Sequence, residues 1–222
     1  MLIKEIIALI RKEVVLEWRQ RYAFNGILLY LVSTVFICYM SFNLKSNQLN
    51  PITWNALFWI ILLFTAVNAI AKSFVQEPEG RLLYYYTLVS PQGIILSKII
   101  YNALLMLLMS LVGYLVYSVV LGNPVEDQSL FMVSVVLGSL GFSSTLTMIS
   151  AIASKSNNSS TLMAVLSFPV MLPLLLLVMK VSKNAIDGLA RSVSYDEISV
   201  IAAINIIVLS VSYILFPYLW KS

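Results

Sequence analysis

Six long runs of apolar residues set the strongest limit on how this chain folds. Each run contains about 20 residues, the length that an α-helix needs to cross the hydrocarbon core of a bilayer, and none contains Asp, Glu, Lys or Arg. Within a bilayer only helices and closed barrels satisfy all of their backbone hydrogen bonds. The sequence therefore predicts an all-α integral membrane protein with six transmembrane helices, at about residues 22–42, 53–71, 99–121, 130–153, 161–179 and 198–219.

The composition favours the same class. Of the 222 residues, 60% are hydrophobic and 11% are charged, whereas a soluble domain has about 25% charged residues. The first run is too long for the core of a cleaved signal sequence, and the following SFNLKSNQLN offers no small-x-small cleavage site. We therefore expect the first run to be retained as a helix.

The distribution of Lys and Arg predicts the orientation of the spans, because cytoplasmic loops carry an excess of these residues. The side with both termini holds ten of the 14 cations: Lys4, Arg11, Lys12, Arg19, Arg21, Lys72, Arg81, Lys98, Lys155 and Lys221. The opposite side holds four: Lys45, Lys180, Lys183 and Arg191. We expect both termini and the connection 72–98 to be cytoplasmic.

Residues 1–21 predict a helix of a different kind. Ile3, Ile6, Ile7, Ile10 and Val14 recur at helical spacing, and the charged residues fall elsewhere around the helical wheel. This pattern is typical of an amphipathic helix that lies on the membrane surface, here on the cytoplasmic leaflet.

Aromatic residues near the ends of the predicted spans are typical of anchors at the membrane–water interface. They are Trp54, Trp59, Tyr195, Tyr218 and Trp220. We expect these side chains to lie among lipid head groups. We also expect the long cationic side chains at span ends to extend toward water.

Several kinds of chemistry are excluded by what the sequence lacks. It has no histidine and one cysteine, Cys38, so a serine–histidine dyad, an H-E-x-x-H zinc site, histidine ligation of haem and an intrachain disulfide are all excluded. The phosphate-binding pattern G-x-x-x-x-G-K-[ST] is also missing. We expect no catalytic residue, no metal site and no cofactor in this chain, and the net charge of +4 is too small to indicate nucleic-acid binding.

The fourth apolar run has a stripe of small residues. Ser139, Ser143 and Thr147 recur at intervals of four, with Gly138 and Gly141 beside them. Small residues let helices approach closely in lipid. The segment GSLGFSS is superficially similar to a serine nucleophile motif, but no plausible base accompanies it, so we expect packing between helices of the same chain.

The spans offer amides such as Asn68, Asn102 and Asn205 but no ionisable group. Proton-coupled transporters usually carry ionisable residues within the membrane. If this protein moves a substrate, the energy must therefore come from another polypeptide, which has to act through the cytoplasmic face.

The connection 72–98 is the one sizeable cytoplasmic segment. Residues 76–80 are typical of a turn, and RLLYYYTLV can form about two turns of helix. Ser90 fits as the N-cap and Pro91 as the first residue of the next helix. Physical reasoning leaves two interpretations open: a short helix that transmits force to a docked partner, or an interfacial helix whose tyrosines lie among head groups.

A resemblance favours the first interpretation. Glu-x-Glu-Gly, then a leucine-rich helix, then Ser-Pro before a span with lysine at its start, resembles the coupling region of ABC-2-type permeases. The residues that carry it are Glu77, Glu79, Gly80, Leu82, Leu83, Ser90, Pro91 and Lys98. The acidic residue usual partway along that helix is replaced here by Tyr84–Tyr86. The resemblance implies a coupling loop at 76–92 that contacts an ATPase through Glu77, Glu79, Gly80, Arg81, Leu82, Leu83, Tyr86, Ser90 and Pro91.

The fifth span, LSFPVMLPLLLLVMK, narrows the resemblance. Pro169 and Pro173 lie four residues apart before a run of leucines, and prolines commonly kink spanning helices. Together with the short cytoplasmic turn before it and the overall length, this makes the chain similar to CcmB, the haem exporter protein B permease of cytochrome c maturation, as a single permease domain over 1–222.

The resemblance implies a homodimeric permease in the bacterial inner membrane that is not itself an enzyme. Two copies of a separate ATPase subunit would bind ATP, and haem-handling membrane subunits and a periplasmic haem chaperone would bind haem. Hydrolysis would drive haem export or release of the loaded chaperone. Two alternatives remain: an ABC-2 permease for a lipid, polysaccharide or drug, and a membrane assembly factor that works without an ATPase. The segment 181–197 is expected to be periplasmic and able to form a short helix.

Overall fold

A computed structural model describes residues 2–20, 22–43, 49–70, 72–75, 88–156 and 158–221. Within these ranges the regular structure is entirely helical, which confirms the predicted all-α class. Most of the predicted coupling loop, including the expected turn and short helix, lies outside the described residues. So do the predicted contact residues Glu77, Glu79, Gly80, Arg81, Leu82, Leu83 and Tyr86.

The structure contains eight α-helices in the described residues. They are α1 (Leu2–Gln20), α2 (Tyr22–Asn43), α3 (Pro51–Ile70), α4 (Lys72–Val75), α5 (Pro91–Leu121), α6 (Gln128–Ala153), α7 (Ser159–Ile186) and α8 (Tyr195–Lys221), with a 3-10 turn at Arg191–Ser194. In the described part of the chain, six helices are long and apolar enough to span a membrane, namely α2, α3, α5, α6, α7 and α8. This confirms the predicted six spans. An even number of spans places both termini on one side, called here the terminal side, and the opposite side is called the far side.

Helix α5 begins well before the predicted apolar span. Ser90 is its N-cap, with extended backbone and a side-chain oxygen that accepts a hydrogen bond from the Gly93 N–H at 3.2 Å, and Pro91 follows as the first helical residue. The N-cap predicted at Ser90 is confirmed. The helix has 31 residues, which corresponds to about 46 Å at 1.5 Å per residue. The hydrocarbon core is about 30 Å thick, so α5 is longer than the core. Its first turns extend beyond the predicted span on the terminal side.

Helix α6 is the centre of the bundle and packs against α3, α4, α5, α7 and α8. Its glycines are the points of closest approach. A Cβ at Gly138 would lie 2.7 Å from ring atoms of Trp59, and one at Gly141 would lie 2.5 Å from Leu174 Cδ2 and 2.7 Å from Asn205 Oδ1. At Gly138 and Gly141, the absence of a side chain therefore allows α3, α7 and α8 to approach the central helix.

The far half of the bundle is filled by aromatic rings: Trp54, Phe58, Trp59, Tyr114, Tyr117, Phe131 and Phe142. The expectation that Trp54, Trp59 and Trp220 anchor the protein among head groups is wrong, because all three are buried. The indole N–H of Trp54 donates to the Gly122 carbonyl at 2.9 Å, and that of Trp59 donates to Ser182 Oγ at 2.7 Å. Their polar atoms are thus satisfied by the protein rather than by the interface.

Candidate functional site

The segment 76–87 follows α4 in the chain, and α4 is held by polar contacts on the terminal side. The Ser73 carbonyl accepts a hydrogen bond from Lys98 Nζ at 2.6 Å, and Ser73 Oγ accepts one from Asn102 Nδ2 at 3.1 Å. The Phe74 N–H donates to Ser150 Oγ at 3.2 Å. These bonds connect α4 to α5 and α6, so the first end of the segment is fixed to two packed helices.

The phenyl ring of Phe74 strengthens that attachment. It is buried and packs against Phe216 of α8, with the ring centroids 5.5 Å apart, and Phe216 packs in turn against Trp220. Lys98 Nζ lies 4.8 Å from the centroid of the Phe74 ring, which is a cation–π distance. The four-residue helix α4 is therefore anchored by its side chains as well as by its backbone.

The other end of the segment is held at Ser90. Its hydroxyl donates to Glu5 Oε2 at 2.7 Å, and its backbone N–H donates to the same oxygen at 3.3 Å. These two hydrogen bonds lower the pKa of Glu5 below its usual value, because they favour the ionised carboxylate. Ser90 thus caps α5 and attaches it to α1 at the same time.

Lys98 lies at the centre of this region. We expected cationic side chains at span ends to extend toward water, but Lys98 is buried, so that expectation is wrong for this residue. Its Nζ lies 3.5 Å from Glu13 Oε1, and the same carboxylate oxygen lies 2.9 Å from Lys12 Nζ. A buried ammonium needs charged and hydrogen-bonding partners, and Glu13 and the Ser73 carbonyl supply them.

The pairs between α1 and α5 keep a constant spacing. Glu5 meets Ser90 and Glu13 meets Lys98, in both cases 85 positions apart. A constant offset means that α1 runs in the same direction as the first turns of α5. Glu5 and Glu13 therefore face α5, while Ile3, Ile7, Val14 and Trp18 are exposed, as expected for an amphipathic helix on a membrane.

The small residues of α6 continue these polar contacts into the bundle. Thr147 Oγ1 accepts from Asn102 Nδ2 at 2.8 Å and donates to the Ser143 carbonyl at 2.6 Å. Two turns further along both helices, Ser139 Oγ and Ser110 Oγ are 2.8 Å apart. The stripe of small residues thus lines the contact between α5 and α6.

The two prolines of α7 lie away from this region. Pro169 and Pro173 are both exposed, and α7 continues as one helix from Ser159 through both of them. A proline has no N–H to give, so the carbonyls of Val165 and Pro169 lose the hydrogen bonds that a helix would normally supply. The expected kinks at these prolines remain a prediction.

On the far side, an ion pair joins the start of α6 to the 3-10 turn that follows α7. Asp127 caps α6 and pairs with Arg191, at 2.6 Å from Nε and 3.0 Å from Nη2. The Asp127 N–H donates to the Ala185 carbonyl at 2.9 Å. The pKa of the Asp127 carboxyl is well below its usual value, mainly because of the hydrogen bonds from Arg191. In the predicted periplasmic segment, the structure has the end of α7, the 3-10 turn and the start of α8.

A family model described as CcmB protein matches residues 4–218. The chain belongs to the CcmB family. A search of curated proteins finds no match.

Membership of the CcmB family confirms the predicted resemblance over nearly the whole chain. It implies a multi-pass membrane component of the haem-export ABC system for cytochrome c maturation, which works with other components of that transporter. CcmB is a permease subunit rather than an enzyme. Among the described residues, no group of three or more His, Cys, Asp or Glu is arranged to hold a metal ion.

Sequence reasoning singled out the segment 76–92 but missed several residues that hold the described helices on either side of it. Glu5, Glu13 and Ser73 were not singled out, although the acids of α1 carried a signal. Glu5 and Glu13 are two turns apart and lie away from the isoleucine stripe, which indicates a face turned toward protein rather than lipid. The partner residues on α5 required the structure, because 85 positions separate them from α1 in the chain.

Proposed function

We propose that this protein is the permease subunit of an ABC complex in cytochrome c biogenesis, and that the segment 76–87 receives force from a separate ATPase subunit. The observation that best supports this is the attachment of both ends of the segment. One end is bonded through Ser73 and Phe74 to α5 and α6, and the other end is bonded through Ser90 to α1. A docking element must be connected in this way for its movement to reach the spans.

A displacement of the segment would spread along two routes. From α4 it reaches Lys98 and Ser150, and through Asn102 and Thr147 it enters the contact between α5 and α6. From Ser90 it moves the start of α5 directly, because the residue is the N-cap of that helix. Since α6 packs against every other span except α2, a shift of α6 changes the bundle as a whole.

In this proposal the terminal side faces the cytoplasm and the protein lies in the bacterial inner membrane as a homodimer. Two ATPase subunits bind ATP, while haem-handling membrane subunits and a periplasmic haem chaperone bind haem. ATP hydrolysis drives haem export or release of the loaded chaperone. The chain has no histidine, which supports a mechanical role with haem ligated by partners, so the purified subunit alone should show no haem Soret band.

The orientation is testable by cysteine labelling, since Cys38 is the single cysteine of the chain. In a Cys38→Ser background, one cysteine is introduced at Glu79 and, in a second variant, at the exposed Glu126 of the far side. A membrane-impermeant maleimide should label position 126 in spheroplasts and position 79 only in inverted vesicles. Labelling of position 79 in spheroplasts would overturn the proposed orientation and with it the docking of a cytoplasmic ATPase.

Docking is tested by co-purification from native membranes. Replacing Glu79 by Lys and Gly80 by Leu should reduce recovery of the ATPase, while the protein still inserts and purifies in normal amounts. A matched control is Lys155→Gln, an exposed change on the same side in the turn between α6 and α7. If no ATPase accompanies the unaltered protein, the assembly-factor alternative is supported instead. If an ATPase but no haem protein is recovered, an ABC-2 exporter of another cargo is supported.

A further inference from the structure

The surface of α1 is divided into three sectors that run along the helix. The sector toward α5 contains Glu5, Glu13 and Glu17 together with Leu9 and Leu16, and all five are partly buried. The hydrogen bond to Ser90 and the pairing with Lys98 both come from this sector. Every acidic residue of α1 is therefore directed toward the protein.

The remaining surface of α1 has an apolar sector and, beside it, a basic sector. The exposed apolar residues are Ile3, Ile7, Val14 and Trp18. At 100° per residue, the next positions around the helix are Arg11, Lys4, Val15, Ala8 and Arg19, and these five are also exposed. The outward face of the described helix thus presents three cations and no acid.

We propose that this outward face binds anionic phospholipid, with Ile3, Ile7 and Trp18 among the acyl chains and Lys4, Arg11 and Arg19 on the phosphate groups. The sign of the charge selects an anionic partner. The adjoining apolar sector selects a lipid rather than the acidic surface of a soluble protein, because a helix with this pattern lies at the boundary between head groups and acyl chains. A cation near an anionic membrane surface raises affinity about fivefold, so three of them suffice for enrichment of anionic lipid.

The site is more than a generic surface helix because of what lies behind it. The acids of α1 are taken up by Ser90 and Lys98 of α5, so they do not repel anionic lipid from the outward face. Because of those contacts, a lipid bound to α1 also stabilises the position of Ser90, where α5 starts. The proposed lipid binding does not depend on the proposed function. Any effect of lipid on ATP hydrolysis would depend on that function.

Trp18 provides a direct probe of this lipid. It is 73% exposed, whereas Trp54, Trp59 and Trp220 are exposed by 1%, 0% and 5%, so lipids that carry bromine quench mainly Trp18. The full chain is reconstituted in nanodiscs that contain the same small fraction of brominated phosphatidylglycerol or brominated phosphatidylcholine. We expect at least twofold stronger quenching by the anionic lipid, and the Trp18→Phe variant should lose most of this quenching. Equal quenching by both lipids would overturn the proposal.

The basic residues are tested by substitution. The Lys4→Gln/Arg11→Gln/Arg19→Gln variant should abolish the preference for anionic lipid, and Arg11→Gln alone should reduce it severalfold if the triple variant does not fold. The control Lys155→Gln removes one cation from an exposed turn on the same side and should leave the preference unchanged. If Lys155→Gln reduces the preference as much as Arg11→Gln, the attraction is a diffuse effect of net charge and the site is refuted. A preference that survives the triple variant refutes it as well.

Discussion

Lys98 Nζ lies 3.5 Å from Glu13 Oε1, and the two side chains are only 6% and 19% exposed. The pair joins the amphipathic helix α1 to the first turns of α5, and the same ammonium holds the carbonyl of Ser73 at 2.6 Å. The three elements α1, α4 and α5 therefore meet at one buried charge.

The first prediction concerns the loss of either member of this pair. Glu13→Gln removes the carboxylate that lies 3.5 Å from the buried Lys98 ammonium. We expect the free energy of unfolding to fall by about 3 kcal/mol, the lower end of the range for breaking a buried pair. Lys98→Met removes the buried charge itself, so its cost should be smaller. Equilibrium unfolding in mixed detergent micelles measures both values. The exposed Glu126→Gln serves as control, and additive effects in the double variant would show that Glu13 and Lys98 do not interact.

The second prediction concerns the contact between Gly138 of α6 and Trp59 of α3. A Cβ at Gly138 would lie 2.7 Å from the Trp59 ring and 3.3 Å from Val178 Cγ1. The ring cannot give way easily, because it is buried and its N–H is hydrogen-bonded. Gly138→Ala should therefore lower the free energy of unfolding by about 1–3 kcal/mol.

Gly26 of α2 is the matched control, since a Cβ there meets nothing within 4 Å. Gly26→Ala should be neutral or stabilising by up to about 1 kcal/mol, because alanine favours helix. Thermal denaturation in the same detergent compares the two variants. Equal effects at both glycines would mean that helix propensity, and not contact with Trp59, governs Gly138.

How much of this structure the sequence predicts depends on how far apart in the chain the interacting residues lie. The six spans follow from length and composition, and the N-cap at Ser90 follows from its own side chain and the proline after it. Both are local properties. The burial of Trp59 is not a local property. A tryptophan near a span end can satisfy its N–H either at the membrane interface or within the protein. Here the acceptor is Ser182, which lies 123 positions away in the chain.

The helices on either side of the segment 76–87 show the same limit. Glu-x-Glu-Gly and Ser-Pro locate the segment by family pattern, but the contacts that hold its ends join residues from 25 to 85 positions apart. Lys98 illustrates the difficulty, because a lysine near a span end is as compatible with snorkelling toward water as with a buried pair. Only the placement of α1 alongside α5 distinguishes the two.

The third prediction concerns the hydrogen bonds of Ser182. Its Oγ accepts from Trp59 Nε1 at 2.7 Å and lies 2.8 Å from Asn55 Oδ1. Ser182→Ala leaves the indole N–H without a partner in a buried region, so the free energy of unfolding should fall by about 1–3 kcal/mol. Ser199→Ala, which removes an exposed hydroxyl bonded to the Asp196 carbonyl, should change it little. A result for Ser182 as small as that for Ser199 would indicate that Trp59 finds another acceptor.

The fourth prediction uses the ion pair on the far side. The pKa of Asp127 is lowered in the folded protein by its hydrogen bonds from Arg191, so the stabilisation is complete above the ordinary aspartate pKa of about 3.9 and is lost as the pH falls below that value toward the folded pKa. Asp127→Asn keeps a good N-cap residue but removes the charge. The midpoint of thermal unfolding should therefore be lower than that of the unaltered protein at pH 7, and this difference should shrink as the pH drops below about 4.

The exposed Asp196 provides the comparison for this pH series, since it lies in the first turn of α8 on the same side. Asp196→Asn should give a smaller difference at pH 7, because its carboxylate lacks the two-point contact that Arg191 makes with Asp127. Raising the salt concentration should also reduce the effect at Asp127, since Arg191 is 57% exposed and its pair is open to screening. A difference for Asp127→Asn that stays constant from pH 7 down to pH 3 would show that the charge of Asp127 does not join α6 to the turn at Arg191.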